Sequence, residues 1–204
     1  QLVADRSLAG TPVAAVSLGG AMLGGIPEHE AHAILQLAAE RGVRLVDTSS
    51  AYGDSERRIG AAAAPGLAVA TKFGNPCALN GHTHDYSVAH AAASTFASVA
   101  ALGGKRLALL QLHSPPERPS PLHDRALVEC LNAFVRGGTI GAWGASVHSV
   151  AGGLLAVDAG ARALQVGYNV LQQEHAPLLA VCAIRGVGVL VQSALAQGWL
   201  TDAG

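Results

Sequence analysis

The chain has 204 residues, half of them apolar, with 13 basic against 14 acidic side chains and a formal net charge of −1. That length and apolar share predict one domain over residues 1–204 with a sizeable core, and they exclude disorder. Near-balanced charge leaves no footprint for a phosphate backbone, and no apolar run reaches the roughly 18 residues of a membrane span, so neither nucleic acid nor membrane is expected as a partner.

The opening stretch, QLVADRSLAG, has no basic segment followed by an apolar core, which argues against a targeting leader. Short apolar or β-branched runs then alternate with helical patterns. They predict strands at 13–18, 44–48, 67–72, 107–113, 140–146, 163–168 and 188–193. Helices are predicted between them, for example over 28–41, where Ala31, Ile34, Leu35 and Ala38 recur at helical spacing, and over 122–136, where Leu127, Cys130, Leu131 and Phe134 do so. Gly42, Gly104, Gly137, Gly160 and Gly186 each fall just past a helix, where a left-handed residue commonly ends one.

Strict β/α alternation implies parallel strands with right-handed crossovers, and seven such units favour a (β/α)8-type (TIM) barrel over a doubly wound sheet. The first strand runs into SLGGAMLGG, which lacks the GxGxxG spacing of a dinucleotide-binding sheet. Residues 73–85, FGNPCALNGHTHD, form a connection longer than the usual one, placed where a loop can cover a site; a surface insertion without a role is the alternative. Three cysteines, Cys77, Cys130 and Cys182, show no metal-ligand spacing and suit a reducing compartment, so a cytoplasmic location is expected.

In a (β/α) barrel the reacting groups sit at the carboxyl ends of the strands. Here Asp47 ends RLVD, Lys72 ends LAVATK and His113 ends LALLQLH. Each has an ordinary explanation alone: a helix cap, a lysine reaching solvent, a satisfied core histidine. Together they suggest a joint one, because a buried charge is costly unless paired and adjacent strand ends supply the pair. Tyr52, in DTSSAYG, lies where a loop can fold its phenol over the barrel mouth. A neighbouring ammonium favours a phenolate, and Lys72 is the candidate for it. Asp47 would keep Lys72 charged, while a neutral His113 imidazole would orient a carbonyl.

The segments DTSSAYGDSERRIGAA, ATKFG and LLQLHSPP, followed by GTIGAWGAS, ALQVGYNVLQQ and GVGVLVQSALAQGWL, resemble in order and spacing the motifs of the aldo-keto reductase superfamily. SERRIG and YNVLQQ are similar in style to its bacterial branch that includes sugar dehydrogenases. The resemblance implies that Asp47, Tyr52, Lys72 and His113 form a catalytic tetrad with Tyr52 as acid or base. It implies NADPH as cofactor, and as substrate a small carbonyl or hydroxyl compound: an aldehyde or ketone reduced, or an alcohol or sugar hemiacetal oxidised. Cofactor contacts are implied at Ser146, Gln165, Ser193 and Leu195.

Several positions depart from the family pattern. Val147 stands where the family has an asparagine beside Ser146, Gln192 where many members stack an aromatic on the nicotinamide, and Ala194 where proline is common. No Lys or Arg follows Arg185, and the chain ends at Gly204 shortly after the seventh strand. The expectation is therefore a barrel truncated after that strand, with two sheet edges to cover, by a homo-oligomer among other solutions. Two further functions stay open: a cofactor-independent lyase, dehydratase, isomerase or cyclase reusing the tetrad for proton transfer, and a noncatalytic binding module. His82, His84 and His148 lie near the predicted mouth without a third ligand of definite spacing, so solvated loop histidines and no metal are expected.

Overall fold

A computed structural model describes residues 5–75 and 84–202; Cys77, His82 and most of the 73–85 connection lie outside the described residues. The described chain opens with a hairpin, β1 (Asp5–Leu8) paired antiparallel with β2 (Thr11–Ala14). The barrel begins at β3 (Leu18–Gly19) and continues through α1 (Glu28–Glu40), β4 (Leu45–Asp47), α2 (Ser55–Ala61), β5 (Ala68–Phe73) and α3 (Val88–Ala101). It goes on through β6 (Leu107–His113), α4 (Arg125–Arg136), β7 (Ile140–Ser146), α5 (Val150–Ala159), β8 (Ala163–Gly167), α6 (Ala176–Arg185) and β9 (Gly188–Gln192).

Strands β3 to β9 form one seven-stranded parallel sheet in unbroken chain order. A doubly wound sheet would reverse its order at a switch point, and this one never does. The sheet curls until residues 13–17 on one side and Val189, Leu190 and Val191 on the other line a single cavity of about 430 Å³. These are seven strands of a (β/α) barrel. No helix among the described residues is long and apolar enough to cross a membrane.

The first expected strand, 13–18, is divided in the structure. Val13 and Ala14 belong to β2, residues 15–17 pair with nothing in a strand, and Leu18 with Gly19 starts the barrel. The cause is the two-residue turn at Ala9 and Gly10, whose φ angles of 48° and 87° suit a tight hairpin and fold Val13 back against Arg6. Leu8 and Val13 then seal the amino end of the barrel by packing on Leu45, Ala70, Leu109, Ala142, Ala163 and Leu190. Burial of each contributes on the order of 2 kcal/mol.

Side chains on the other face of the sheet, including Val46, Val69, Leu110, Leu112, Trp143, Leu164 and Val166, pack against the helices in a second and larger core. The helix expected over 122–136 is broken at Asp124, whose carboxylate accepts the Ala126 amide at 2.9 Å and starts α4 there; a single 3₁₀ turn, Pro121–His123, precedes it. Past α4 the left-handed residue is Gly138, at φ 75°, and not Gly137, which keeps a right-handed helical conformation.

Candidate active site

Along the inner face five of the seven strands turn from apolar to polar as they near their carboxyl ends. Leu45 precedes Asp47, Ala70 precedes Lys72, Leu109 precedes Gln111 and His113, Ala163 precedes Gln165, and Leu190 precedes Gln192. Alternate strand residues share a face, so a step of two keeps every one of these side chains inside. The lower layer is the apolar seal, and the upper layer holds the polar and titratable side chains.

The centre of that layer is a buried ion pair. Lys72 Nζ donates to Asp47 Oδ2 at 2.6 Å and to the Thr48 carbonyl at 2.8 Å, with Lys72 only 1% exposed. Gln165 Nε2 donates to the same Oδ2 at 2.9 Å, and Gln111 Nε2 donates to Oδ1 at 3.0 Å. Close geometry and extra hydrogen bonds are what a buried pair needs to offset its desolvation.

Tyr52 sits half-buried on the loop between β4 and α2. Lys72 Nζ lies 5.0 Å from its ring centroid, and the His113 ring meets it edge-on at 5.8 Å. Several bonds fix this loop: Thr48 Oγ1 donates to Ser55 Oγ at 2.8 Å, Ser55 Oγ donates to the Gly20 carbonyl at 2.9 Å, and the Tyr52 amide donates to the Ser49 carbonyl at 3.0 Å. Gly24 closes against it. A Cβ at that position would lie 2.0 Å from the Tyr52 carbonyl oxygen, so only glycine lets the loop after β3 brace the tyrosine.

His113 ends β6 with Nδ1 3.2 Å from Ser49 Oγ. Ser49 Oγ also accepts the Ala51 amide at 3.1 Å, which holds the hydroxyl beside the imidazole. Burial first, then the Lys72 charge and the neighbouring His148 and His84, push the His113 pKa down to about 4. The ring is therefore neutral at physiological pH. Tyr86, whose phenol is raised above its ordinary value by burial, donates to the His113 carbonyl at 2.6 Å and steadies the strand end.

Asp47, Tyr52, Lys72 and His113, proposed from the sequence as one group, are brought together. Gln165 joins them at 5% exposure, and with Asp47, Tyr52, Gln192, Ser193 and residues 17–21 around β3 it lines a cavity of about 290 Å³. Its Oε1 is buried with no hydrogen-bond partner among the described residues. Ser146 is buried at the end of β7, aligned with His113 on one side and Gln165 on the other. Ser193 lines the cavity with φ 56°, and its carbonyl accepts Asn169 Nδ2 at 3.0 Å. Leu195 is exposed and does not line that cavity.

Val147 packs in the helix-facing core and offers the cavity no polar atom; only its amide is engaged, donating to the Gln165 carbonyl at 2.9 Å. His148 Nε2 is 2.8 Å from Ser114 Oγ, and His84 stacks on Tyr86. Among the described residues no three His, Cys, Asp or Glu side chains are placed to hold a metal ion. Gln111 was missed from the sequence. Its signal was there: it is the polar residue inside LALLQLH, two before His113 and so on the same inner face.

The Aldo/keto reductase family model matches residues 15–204. Among solved structures, two of a Pseudomonas aeruginosa protein described as an aldo-keto reductase are 32% identical to this chain, each with a TM-score of 0.86. They cover 94% and 96% of this chain, which in turn covers 78% and 80% of theirs. The aldo-keto reductase AKR11C1 from Bacillus halodurans, in its holo form, superposes with a TM-score of 0.86 at 22% identity over 98% of this chain and 69% of its own, a likeness of fold alone. No curated protein matches.

Proposed function

The chain belongs to the aldo/keto reductase family, and from that premise we propose that it reversibly reduces a small aldehyde or ketone, with Tyr52 as the general acid and, in the reverse direction, the base. The observation that carries this reading is the buried Asp47–Lys72 pair with its ammonium facing the Tyr52 ring. A carbonyl in the cavity beside Tyr52 accepts a hydrogen bond from neutral His113 through Nε2. As charge builds on the carbonyl oxygen, Tyr52 gives up its proton to it. The Lys72 ammonium stabilises the negative charge left on the phenol oxygen, and Asp47 holds Lys72 in place. A low-dielectric interior strengthens each of these interactions relative to water.

A nicotinamide cofactor, when bound, supplies or accepts the hydride. The residues fit its carboxamide end in part. Gln165 presents a buried carbonyl oxygen without a partner among the described residues, Ser193 and Gln192 line the same cavity, and Ser146 is aligned with Gln165 on the neighbouring strand. Ser146, Gln165 and Ser193 are the residues proposed to hold it; Leu195 lies outside the cavity lining. A second reading, proton transfer without hydride in a lyase or isomerase, is favoured by the outward-packed Val147 and by Gln192 in place of an aromatic.

Titration with NADPH and with NADH, followed by cofactor fluorescence, separates the two. Saturable binding below millimolar concentration supports the reductase, and no binding at millimolar cofactor refutes it. In either case Tyr52→Phe removes only a hydroxyl; it is expected to lower turnover by about 10²-fold or more with an unchanged unfolding midpoint. An unchanged rate would remove Tyr52 from the mechanism.

A further inference from the structure

Gln111 occupies an inner strand position at 0% exposure, where an apolar side chain would cost least. Its Nε2 donates to Asp47 Oδ1 at 3.0 Å, while its Oε1 has no partner among the described residues. A carboxylate accepts and never donates, so the amide orientation is fixed: nitrogen toward Asp47, oxygen left over. Leaving a buried acceptor unpaired costs about 1–3 kcal/mol. A side chain kept for stability alone would not be arranged this way.

The two oxygens of Asp47 are loaded unequally. Oδ2 takes Lys72 and Gln165, whereas Oδ1 takes Gln111 as its partner among the described residues. Rotation of the carboxylate about its χ2 bond would carry Oδ2 off the ammonium, and the Gln111 bond opposes that rotation from the far side. Lys72 spends two donors on Asp47 and Thr48, and the same ammonium lies over the Tyr52 ring with one proton left.

We propose that Gln111 is a positioning residue for the proton transfer at Tyr52, acting through Asp47 and Lys72 by pinning the carboxylate that aims the ammonium. The proposal rests on the reading of Tyr52 as general acid, and its test is chosen to read out without turnover. Among the described residues, the charged and titratable groups that face Tyr52 are Lys72 from β5, His113 from β6 and Asp47 from β4.

Gln111→Met keeps the length of the side chain and removes both the donor and the orphaned oxygen. Phenol ionisation is followed by ultraviolet difference absorbance against pH in the wild type and in Gln111→Met, each with Tyr52→Phe subtracted to isolate Tyr52 from Tyr86 and Tyr168. Loss of the amide donor and drift of the ammonium are expected to move the Tyr52 midpoint upward by at least about half a pH unit, whether or not the urea midpoint also falls because Asp47 Oδ1 has lost its partner. In NADPH-dependent reduction of 4-nitrobenzaldehyde, kcat is expected to fall about tenfold at constant KM. Coincident Tyr52 titrations in the two proteins would overturn the proposal, as would a urea midpoint that falls while the titration stays put. If the wild type reduces no aldehyde, the reductase reading fails, and the ultraviolet titration still decides the role of Gln111.

Discussion

Lys72→Met tests the centre of the site directly. The ammonium is 1% exposed and bonded to Asp47 at 2.6 Å, so its removal leaves a carboxylate in the barrel without its counter-charge. Breaking a buried pair from one side costs about 3–5 kcal/mol. Two amide donors remain on Asp47, from Gln111 and Gln165, which places the expected loss near the lower end, about 3 kcal/mol. The double variant Lys72→Met/Asp47→Asn removes the stranded charge. Its asparagine oxygen still accepts from one glutamine, and its amide can donate to an Oε1 that now lacks a partner on Gln111 or Gln165. It is expected to recover most of the loss, giving a coupling of about 2 kcal/mol or more between the sites. Urea unfolding followed by the fluorescence of buried Trp143 measures all four corners of the cycle. A single variant within about 1 kcal/mol of wild type, or a double variant that falls by the sum of both singles, would refute the buried-pair argument.

Two further outcomes follow from the same geometry. An unfolded histidine takes its proton near pH 6.5, whereas folded His113 takes one only near 4, so the unfolded state binds more protons in between and stability falls as pH drops through that window. The expected loss attributable to His113 is about 3 kcal/mol, complete by pH 4 and absent above pH 7, and His113→Asn should flatten the pH dependence of the urea midpoint by that amount; an unchanged slope would contradict the assignment. Gly24→Ala places a methyl group 2.0 Å from the Tyr52 carbonyl, so the loop must shift; a stability loss of about 1–3 kcal/mol with a fall in kcat is expected, and wild-type kcat would show that the brace does not set Tyr52.

Six of the seven barrel strands are visible in the sequence because a parallel strand covered on both faces reads as a continuous apolar run, and the polar residue that ends each run marks the mouth. Asp47, Lys72 and His113 were legible for that reason. The first strand was not, because its two residues, Leu18 and Gly19, carry too little pattern, and because the more strongly patterned 13–14 segment is recruited by the Ala9–Gly10 turn. Gln111 was hidden by its neighbours: flanked by leucines, it looks like a defect in an apolar strand until the pairing of β5 with β6 sets it opposite Lys72. The brace on Tyr52 was equally invisible, since nothing local in SLGGAMLGG tells that Gly24 must approach a loop some thirty residues away.

The choice of side chains in the polar layer follows from charge accounting inside a low-dielectric barrel. One carboxylate and one ammonium balance, and burial keeps His113 neutral, so the layer carries no net charge before a substrate arrives. Any further ionised group would need its own partner at a cost of several kcal/mol. Glutamines at 111 and 165 supply hydrogen bonds to Asp47 without adding charge, and the oxygens they leave unpaired are the lesser penalty. Tyr52 is the one member of the group on a loop, and in the proposed mechanism it is also the one that exchanges a proton with a ligand arriving from solvent. The strands therefore hold the charges that must not move. A short loop, tied by Thr48, Ser55 and Gly20 and braced by Gly24, holds the hydroxyl that meets the substrate in the proposed mechanism.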